Sequence, residues 1–329
     1  MDVEIFRRTV KDRKRGASWQ LLQHMADGIR ACGDNPIIVN EHKEGPWTDN
    51  EMEPTAPIGC MFGYGGKNQP HHTKGRRRDL VERAKKKGIY IITFDGGILS
   101  SFGNTVTHPQ HHWRVSLYSP MNNGDFLNDN SPSDRWEMMK KLWNVKNEPW
   151  RKSNQDDPIL FVLQPKDNWS MDELDPIDWF MGVYDKLRPI TERKFLIRPH
   201  PNHMAQMINR KNEFPEDCTL IEGQAHFKGD EKKYYRFNFQ EAIANCHAVV
   251  THNSTASIDS CVRGIPTFVT SDLAICYPVA NKDLNNIETP LYPDRQQWLN
   301  NIGYMQWTTD EIRSGLVFKR FKERLGFDA

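Results

Sequence analysis

Ala248-Val-Val-Thr-His-Asn-Ser-Thr-Ala-Ser-Ile-Asp-Ser-Cys-Val-Arg-Gly-Ile-Pro-Thr-Phe-Val269 reads as strand, turn, helix, turn, strand. Ala248 to Val250 make a short buried strand, and Thr251, His252 and Asn253 are turn formers. Ser254 or Thr255 is a good N-cap, and Ile258 and Val262 fall four apart on one helical face. Gly264 supplies the C-cap, Pro266 blocks continuation, and Ile265 to Val269 start the next strand. A small polar turn between a parallel strand and a helix N-terminus aims backbone N–H groups and the positive dipole end at one point. That point suits an anion, most often a phosphate. Every α/β protein has several such units and most bind nothing, so the motif needs company from the rest of the chain.

The chain has 329 residues, of which 37% are hydrophobic and 26% charged; its mean hydropathy is −0.73. Two domains are the expectation at this length. No apolar run approaches the ~20 residues of a membrane span, and Met1-Asp-Val-Glu-Ile-Phe reads as a strand rather than a signal peptide. Six scattered cysteines without Cys-x-x-Cys spacing suggest free thiols in a reducing cytosol, hence a cytoplasmic protein. The net charge is +1, but residues 1–150 hold 22 Lys+Arg against 18 Asp+Glu, whereas residues 151–329 hold 22 against 25.

Taken in order, Val3–Arg8 is a first strand, a basic loop follows, and Leu21, Leu22, Met25, Ile29 and Cys32 give one apolar helical face ended by Gly33. Pro36–Val39 is a second strand, which makes a β-loop-α-β opening typical of a doubly wound sheet. Ile58–Gly63 is a third strand, Asp79–Lys87 a helix and Ile89–Phe94 a strand ending in Asp95-Gly-Gly97. Residues 98–135 read as irregular, and Arg135–Val145 as an amphipathic helix. The polar stretch Asn147–Pro158 is the linker candidate. Strands then follow at Ile159–Gln164, Lys194–Arg198 and Thr219–Glu222, with helices at Asp178–Leu187 and Asn238–Cys246. One last helix covers about Thr309–Leu325. No internal repeat or low-complexity tract occurs. The domains are therefore expected at 1–150 and 151–329, the final helix packing back on the first.

In the second half, Arg198-Pro-His-Pro-Asn202 ends a strand. Arg offers a rigid fork for phosphate oxygens, and His a hydrogen bond or a charge. Parallel strands of one sheet put this loop, the Gln164-Pro-Lys-Asp-Asn-Trp-Ser170 loop and the 251–259 turn on one edge. The residues Phe161-Val-Leu-Gln164 with Asp167, His200-Pro201, and Asn253-Ser-Thr255 with Asp259 and Gly264-Ile-Pro266 resemble the donor domain of GT-B nucleotide-sugar glycosyltransferases. The match is to the capsule-polysaccharide type related to Kdo transferases and covers about residues 159–270. It departs at Asp259, where that group often has Glu. In the first half, Asp95-Gly-Gly, Trp113-Arg-Val-Ser and Asn-Gly-Asp125-Phe, with the late Gln306-Trp-Thr and Glu-Ile-x-x-Gly315, look like phage-encoded glycosyltransferases of the same fold.

The resemblance implies an α/β GT-B fold, two Rossmann-like doubly wound domains facing across a cleft. It implies a nucleotide-diphosphate sugar as co-substrate, a UDP-sugar foremost, held by Gln164, Arg198, His200, His252, Asn253, Ser254, Thr255 and Asp259. Positive charge from Arg198 and His200, with N–H donors at Ser254 and Thr255, would stabilise the leaving group. No Asp-x-Asp motif stands in a convincing place, so no metal is expected. Asp95, at a strand end, is the candidate base for the acceptor hydroxyl, with Asp125 in reserve; the alternative for Asp95 is a turn former before Gly-Gly. His108, His111 and His112 have no known ligand spacing and read as a solvated loop.

The basic clusters Arg13, Lys14, Arg15 and Lys74, Arg76, Arg77, Arg78 read as loops able to track a phosphodiester backbone. Tyr64, Trp113 and Phe126 are candidates to stack on a lifted base. Charge runs are more often solvated faces, as at Lys85–Lys87. The leading expectation is a sugar transferred to 5-hydroxymethylcytosine or a related hydroxymethylpyrimidine in double-stranded DNA. A capsule or polysaccharide glycosyltransferase acting on a glycan is the alternative, and a nucleotide- or DNA-binding module the non-enzyme one.

Overall fold

The structure, a computed structural model, describes residues 1–7, 17–40, 53–64, 74–98, 111–143, 145–166, 168–171, 174–228, 232–236 and 239–327. The chain divides into unit 1, Met1–Asn144 with Gln297–Ala329, and unit 2, Val145–Gln296. In chain order the elements are β1 (Asp2–Arg7), α1 (Ala17–Ala31), β2 (Asn35–Asn40), β3 (Ile58–Phe62), α2 (Lys74–Lys86), β4 (Tyr90–Gly96), β5 (His112–Leu117) and α3 (Asp134–Trp143). Unit 2 continues with β6 (Ile159–Val162), α4 (Pro176–Leu187), β7 (Phe195–Arg198), α5 (Met204–Asn209), β8 (Cys218–Leu220), β9 (Gln224–Lys228), β10 (Lys232–Arg236), α6 (Phe239–Ile243), β11 (Ala248–Thr251), α7 (Ala256–Val262) and β12 (Thr267–Val269). The chain ends with α8 (Gln296–Gly303), β13 (Gln306–Thr308), α9 (Thr309–Arg313) and α10 (Leu316–Leu325).

Unit 1 is built on a six-stranded sheet of order β13-β5-β4-β3-β1-β2. β1 to β4 run parallel, while β5 pairs antiparallel with both β4 and β13. The apolar face of α1 (Leu21, Leu22, Met25, Ile29) joins Val3, Ile5, Ile58, Ile92 and the C-terminal Val317, Phe318 and Phe321 in one core. Arg135 of α3 ties the C-terminal segment in: its guanidinium reaches Glu311 at 2.6 and 3.1 Å and the carbonyls of Gly303 and Gln306 at 2.9 and 3.1 Å. Glu311 is also the third residue of a reciprocal cap with Thr308 at the start of α9. Burial pushes the Glu311 carboxyl up, but the bonds from Arg135 and Thr308 push it further down, to a net value below the ordinary one.

Unit 2 holds a five-stranded, wholly parallel sheet of order β12-β11-β6-β7-β8. Its first strand, β6, has β7 on one side and β11 on the other. Chain connections leave β6 in opposite directions there, which makes it the topological switch point where α/β sheets receive ligands. The rear of α7 is held by Arg295, whose guanidinium donates to the carbonyls of Cys261 and Glu148 and lies 3.9 Å over the Trp150 ring. Gly264, at φ 73°, turns the chain out of α7, and a Cβ there would meet the Pro149 carbonyl oxygen at 2.0 Å.

Three expectations are corrected. Residues 98–135 contain β5, every residue of which is buried; the strand is disguised by Arg114 and Ser116, whose polar groups find partners on β4. α2 begins at Lys74 rather than Asp79, because Lys and Arg are good helix formers and charge alone does not make a loop. The final helix is two, α9 and α10, separated by Gly315 at φ 87°. The sequence reading assigned nothing to Gln224–Lys228 and Lys232–Arg236, which pair antiparallel as β9 and β10.

Gly264→Ala forces a side chain into both the left-handed region and a backbone oxygen. It is expected to destabilise by about 2 kcal/mol or more, read by urea unfolding. Gly182→Ala in α4, where nothing lies within 4 Å, should be neutral or stabilise by up to about 1 kcal/mol. For Glu311 the folded carboxyl titrates lower than the unfolded one. Its contribution is thus complete above the unfolded value near pH ~4.3 and is lost as pH falls through the folded value. Glu311→Gln should cost about 2 kcal/mol at neutral pH, and the gap to the parent should close as pH falls through the folded value.

Candidate functional site

At the carboxyl edge of β6 the chain turns into Gln164, and at that of β11 into His252 and Asn253. Gln164 and Asn253 are both buried, 7% and 2% exposed, and they bond reciprocally: Gln164 Nε2 donates to Asn253 Oδ1 at 2.7 Å, and the Asn253 backbone N–H donates to Gln164 Oε1 at 3.0 Å. Gln164 Nε2 also donates to Ser170 Oγ at 2.9 Å, and Asn253 Nδ2 to the Ser170 carbonyl at 2.8 Å. Ser170 in turn bonds Asn168 Oδ1 through its N–H and hydroxyl. Thr251 Oγ1 closes the set on the Val162 carbonyl at 2.7 Å. The sequence nominated Gln164 and Asn253 as ligand groups; the structure shows both engaged in joining the two loops that border the switch point.

That joining shapes the next two residues. Among the described residues, the backbone N–H groups of Ser254 and Thr255 donate to no acceptor. Thr255, the residue preceding α7, makes no side-chain cap; Ser254 Oγ instead accepts from the Ala256 N–H at 3.3 Å. Ser254 is half-buried and Thr255 exposed. α7 has only seven residues, so its dipole adds less than a full-length helix would, and an anion at this turn would depend on the two N–H groups themselves.

On the other flank of β6, Arg198 ends β7 at 9% exposure, its guanidinium 4.8 Å from the Phe239 ring. Burial pulls the Arg198 guanidinium down to about 10, opposed by the charge of Asp259 on α7, so it stays a cation at neutral pH. Desolvation, then His203 and Arg198, hold the His200 imidazole below the ordinary histidine value. The shift favours the neutral imidazole over the cation that the sequence reading expected. His252 Nδ1 lies 2.8 Å from Thr270 Oγ1, and that hydroxyl also accepts from Trp179 Nε1 at 2.8 Å. An indole N–H can only donate, so Thr270 Oγ1 accepts from Trp179 and links it to the His252 ring. Trp179 and Thr270 were missed from sequence; the sign available was a tryptophan on an apolar helical face, whose N–H needs a partner. Asp167 lies outside the described residues.

In unit 1, Asp95 stands at the end of β4, directly opposite Arg114 of β5. The Arg114 guanidinium, 6% exposed, reaches Asp95 Oδ2 at 3.3 Å, and Asp95 Oδ1 accepts from the Gly96 N–H at 2.7 Å. Asp95 therefore neutralises a buried cation whatever else it does. Asp125 is exposed and its Oδ1 accepts from the Leu127 N–H at 2.8 Å, a turn-forming role.

The acceptor-side expectations fare differently. Tyr64, Trp113 and Phe126 are 5%, 3% and 4% exposed, so they are core residues rather than stacking platforms; Trp113 Nε1 bonds Thr309 Oγ1 at 3.0 Å. His111 and His112 are buried too, not a solvated loop, while His108 lies outside the described residues. Arg77 donates to the Phe62 carbonyl and Arg78 lies 5.4 Å over the Tyr64 ring, both in helix α2 rather than a loop. Lys74 and Arg76 belong to the first turn of that helix. Arg13, Lys14 and Arg15 lie outside the described residues. No helix among the described residues is long and apolar enough to cross a membrane.

No protein-family model matches the chain, and no curated protein matches it. Among solved structures, the chain is similar to the β-Kdo 2,4 transferase of Thermosulfurimonas dismutans KpsC, with a TM-score of 0.52, 13% identity, and 94% of this chain and 92% of that one covered. The β-Kdo 2,7 transferase of the same KpsC gives 0.47 at 10% identity, covering 97% and 100%. An α-glucosyltransferase solved with UDP and a 13-mer DNA containing an HMU base gives 0.30 at 10% identity, covering 99% and 99%. The first of these likenesses shows the fold: an α/β chain of the GT-B class with Rossmann-like parallel sheets.

If the two amides join the loops as described, Gln164→Ala and Asn253→Ala should each destabilise by about 1–3 kcal/mol. A double-mutant cycle by urea unfolding should show coupling of at least about 0.5 kcal/mol; additive losses would mean the loops are held by something else.

Proposed function

We propose that this chain is a glycosyltransferase that moves a sugar from a nucleotide sugar to an acceptor hydroxyl. One observation carries the reading. At the switch point of unit 2, the N–H groups of Ser254 and Thr255, which donate to no acceptor among the described residues, share a sheet edge with the buried cation Arg198. Breaking a glycosyl–phosphate bond leaves negative charge on phosphoryl oxygens. Preorganised N–H donors and a cation in a partly desolvated site stabilise that charge as it develops. The His252 and His200 rings supply further directed hydrogen bonds. Asp259 sets the charge balance of Arg198, and a ribose contact is its second role on this reading. A nucleoside diphosphate, uridine foremost, is the donor class.

The acceptor hydroxyl must lose a proton, and Asp95 is the proposed base. Its bond to Arg114 fixes the carboxylate, so an Asp95 variant disturbs stability as well as chemistry. A glycan hydroxyl is the favoured acceptor, because the three aromatic residues that would have stacked on a flipped base are buried. A hydroxymethylpyrimidine in DNA is the competing acceptor, and the same assay separates the two.

Calorimetric titration with UDP, GDP and CMP should show binding of at least one nucleotide. Arg198→Gln should weaken it about 10- to 100-fold, and Arg198→Lys less, since a charge-assisted bond is worth about 1.5–3 kcal/mol. Incubation with a panel of nucleotide sugars should release nucleotide slowly without acceptor, which a mere binding module would not do. Mass spectrometry after adding oligosaccharides or hydroxymethylated duplex DNA identifies the acceptor. Asp95→Asn should retain nucleotide affinity and lose transfer by 100-fold or more, on the order of general-base effects. Absence of nucleotide binding by the parent protein would sink the proposal.

A further inference from the structure

The pairing of β11 with β12 continues past both strands. The Thr270 N–H donates to the Thr251 carbonyl and the Ser271 N–H to the His252 carbonyl, each at 3.2 Å. Thr270 is thereby fixed beside His252 at the carboxyl edge of the parallel sheet, where the Asn253–Thr255 turn begins. Its hydroxyl lies 2.8 Å from His252 Nδ1 and accepts from Trp179 Nε1 at 2.8 Å. Trp179, near the start of α4, is buried, and its ring meets the His252 ring edge to face, with centroids 6.3 Å apart and planes at 67°. The half-buried His252 is thus held through its carbonyl, through Nδ1 and through the indole.

Neither neighbour requires the histidine for its own sake. The Trp179 N–H needs one acceptor, which Thr270 provides. Thr270 is exposed, so water can complete its hydroxyl. What the arrangement does settle is the orientation of the ring. A hydroxyl carries one proton and two lone pairs. It can donate to a bare Nδ1, or accept from an Nδ1–H while still accepting from Trp179, so the link holds for either state of that nitrogen. With Nδ1 pinned, the planar ring sets the direction in which Nε2 bonds.

We propose that Thr270 and Trp179 are positioning residues, which orient His252 so that Nε2 meets a phosphoryl oxygen of the donor's diphosphate. The role rests on the glycosyl-transfer reading, in which the N–H groups of Ser254 and Thr255, close behind His252 in sequence, receive the same diphosphate. An imidazole free to rotate would have to be ordered when the ligand binds. Ordering one side chain weakens affinity by about 3- to 10-fold.

The test is calorimetric titration of the full chain with UDP, and with GDP where the parent protein prefers it. Thr270→Val replaces a hydroxyl by a methyl at an exposed position. It should keep the parent's melting temperature and lose about 3- to 10-fold in nucleotide affinity. Thr270→Ser should recover the loss. Trp179→Phe, which keeps a ring and removes the N–H, should lose less than Thr270→Val. His252→Ala should lose at least as much as Thr270→Val, and adding either substitution to it should weaken binding no further, because both act through the imidazole. Tyr184→Phe, which removes a bond to Asp217 elsewhere on α4, should change nothing. In the NMR spectrum the Trp179 indole N–H, identified by its loss in Trp179→Phe, should move in Thr270→Val. Parent-like affinity of Thr270→Val overturns the inference, as does an undiminished loss in the His252→Ala background or an indole resonance that stays in place. Each of those outcomes leaves the donor site standing. Failure of the parent protein to bind any nucleotide removes the donor reading and this inference together.

Discussion

Two buried amides hold the site edge of unit 2 in shape. Gln164 follows β6 and Asn253 follows β11, and nothing in the parallel ladder requires the loops beyond those strands to stay together. The reciprocal bonds of the two side chains extend the pairing past the last backbone hydrogen bond. Their cost of burial is met only in that geometry, because an unpaired amide in this environment is penalised by more than a formed bond contributes. With Asn253 fixed, the next two peptide groups, Ser254 and Thr255, are left with N–H groups that donate to no acceptor among the described residues. The exposure of those donors is thus a by-product of a packing constraint.

Unit 1 shows a related constraint with charge in place of amides. Arg114 lies on a strand that is buried throughout, and Asp95 is its counter-ion across the ladder. Desolvation lowers the Arg114 guanidinium from its ordinary value and the Asp95 carboxylate opposes that. A carboxylate so placed is held in position from two sides, by Arg114 and by the Gly96 N–H, and its charge is tied to the burial of the strand.

Most of the parallel framework was legible in the sequence because its signals are local. Ile159–Leu163 and Ala248–Val250 are continuous apolar runs, Val3, Ile5 and Phe6 mark the first strand, and Gly33, Gly264 and the proline at 266 punctuate them. The elements that escaped have polar residues satisfied at a distance. β5 carries Arg114 and Ser116, neutralised by residues some twenty positions away in sequence, and β13 is three residues long. The break at Gly315 was hidden by the apolar spacing continuing on both sides of it. At the candidate site, residue types that bind ligands also serve as internal struts, so the bonds that Gln164 and Asn253 make between the two loops were not legible from their positions in the sequence. The aromatic residues Tyr64, Trp113 and Phe126 show the same limit, since a ring flanked by polar residues reads as accessible until its neighbours in space are known.

The anchoring of α7 by Arg295 has an evolutionary consequence. The guanidinium grips main-chain oxygens of Cys261 and Glu148, and every amino acid offers such an oxygen. Positions 148 and 261 can drift without releasing the clasp, whereas position 295 cannot. Divergent descendants of this chain should therefore keep the helix behind the anion site seated while the sequence around its tail changes freely.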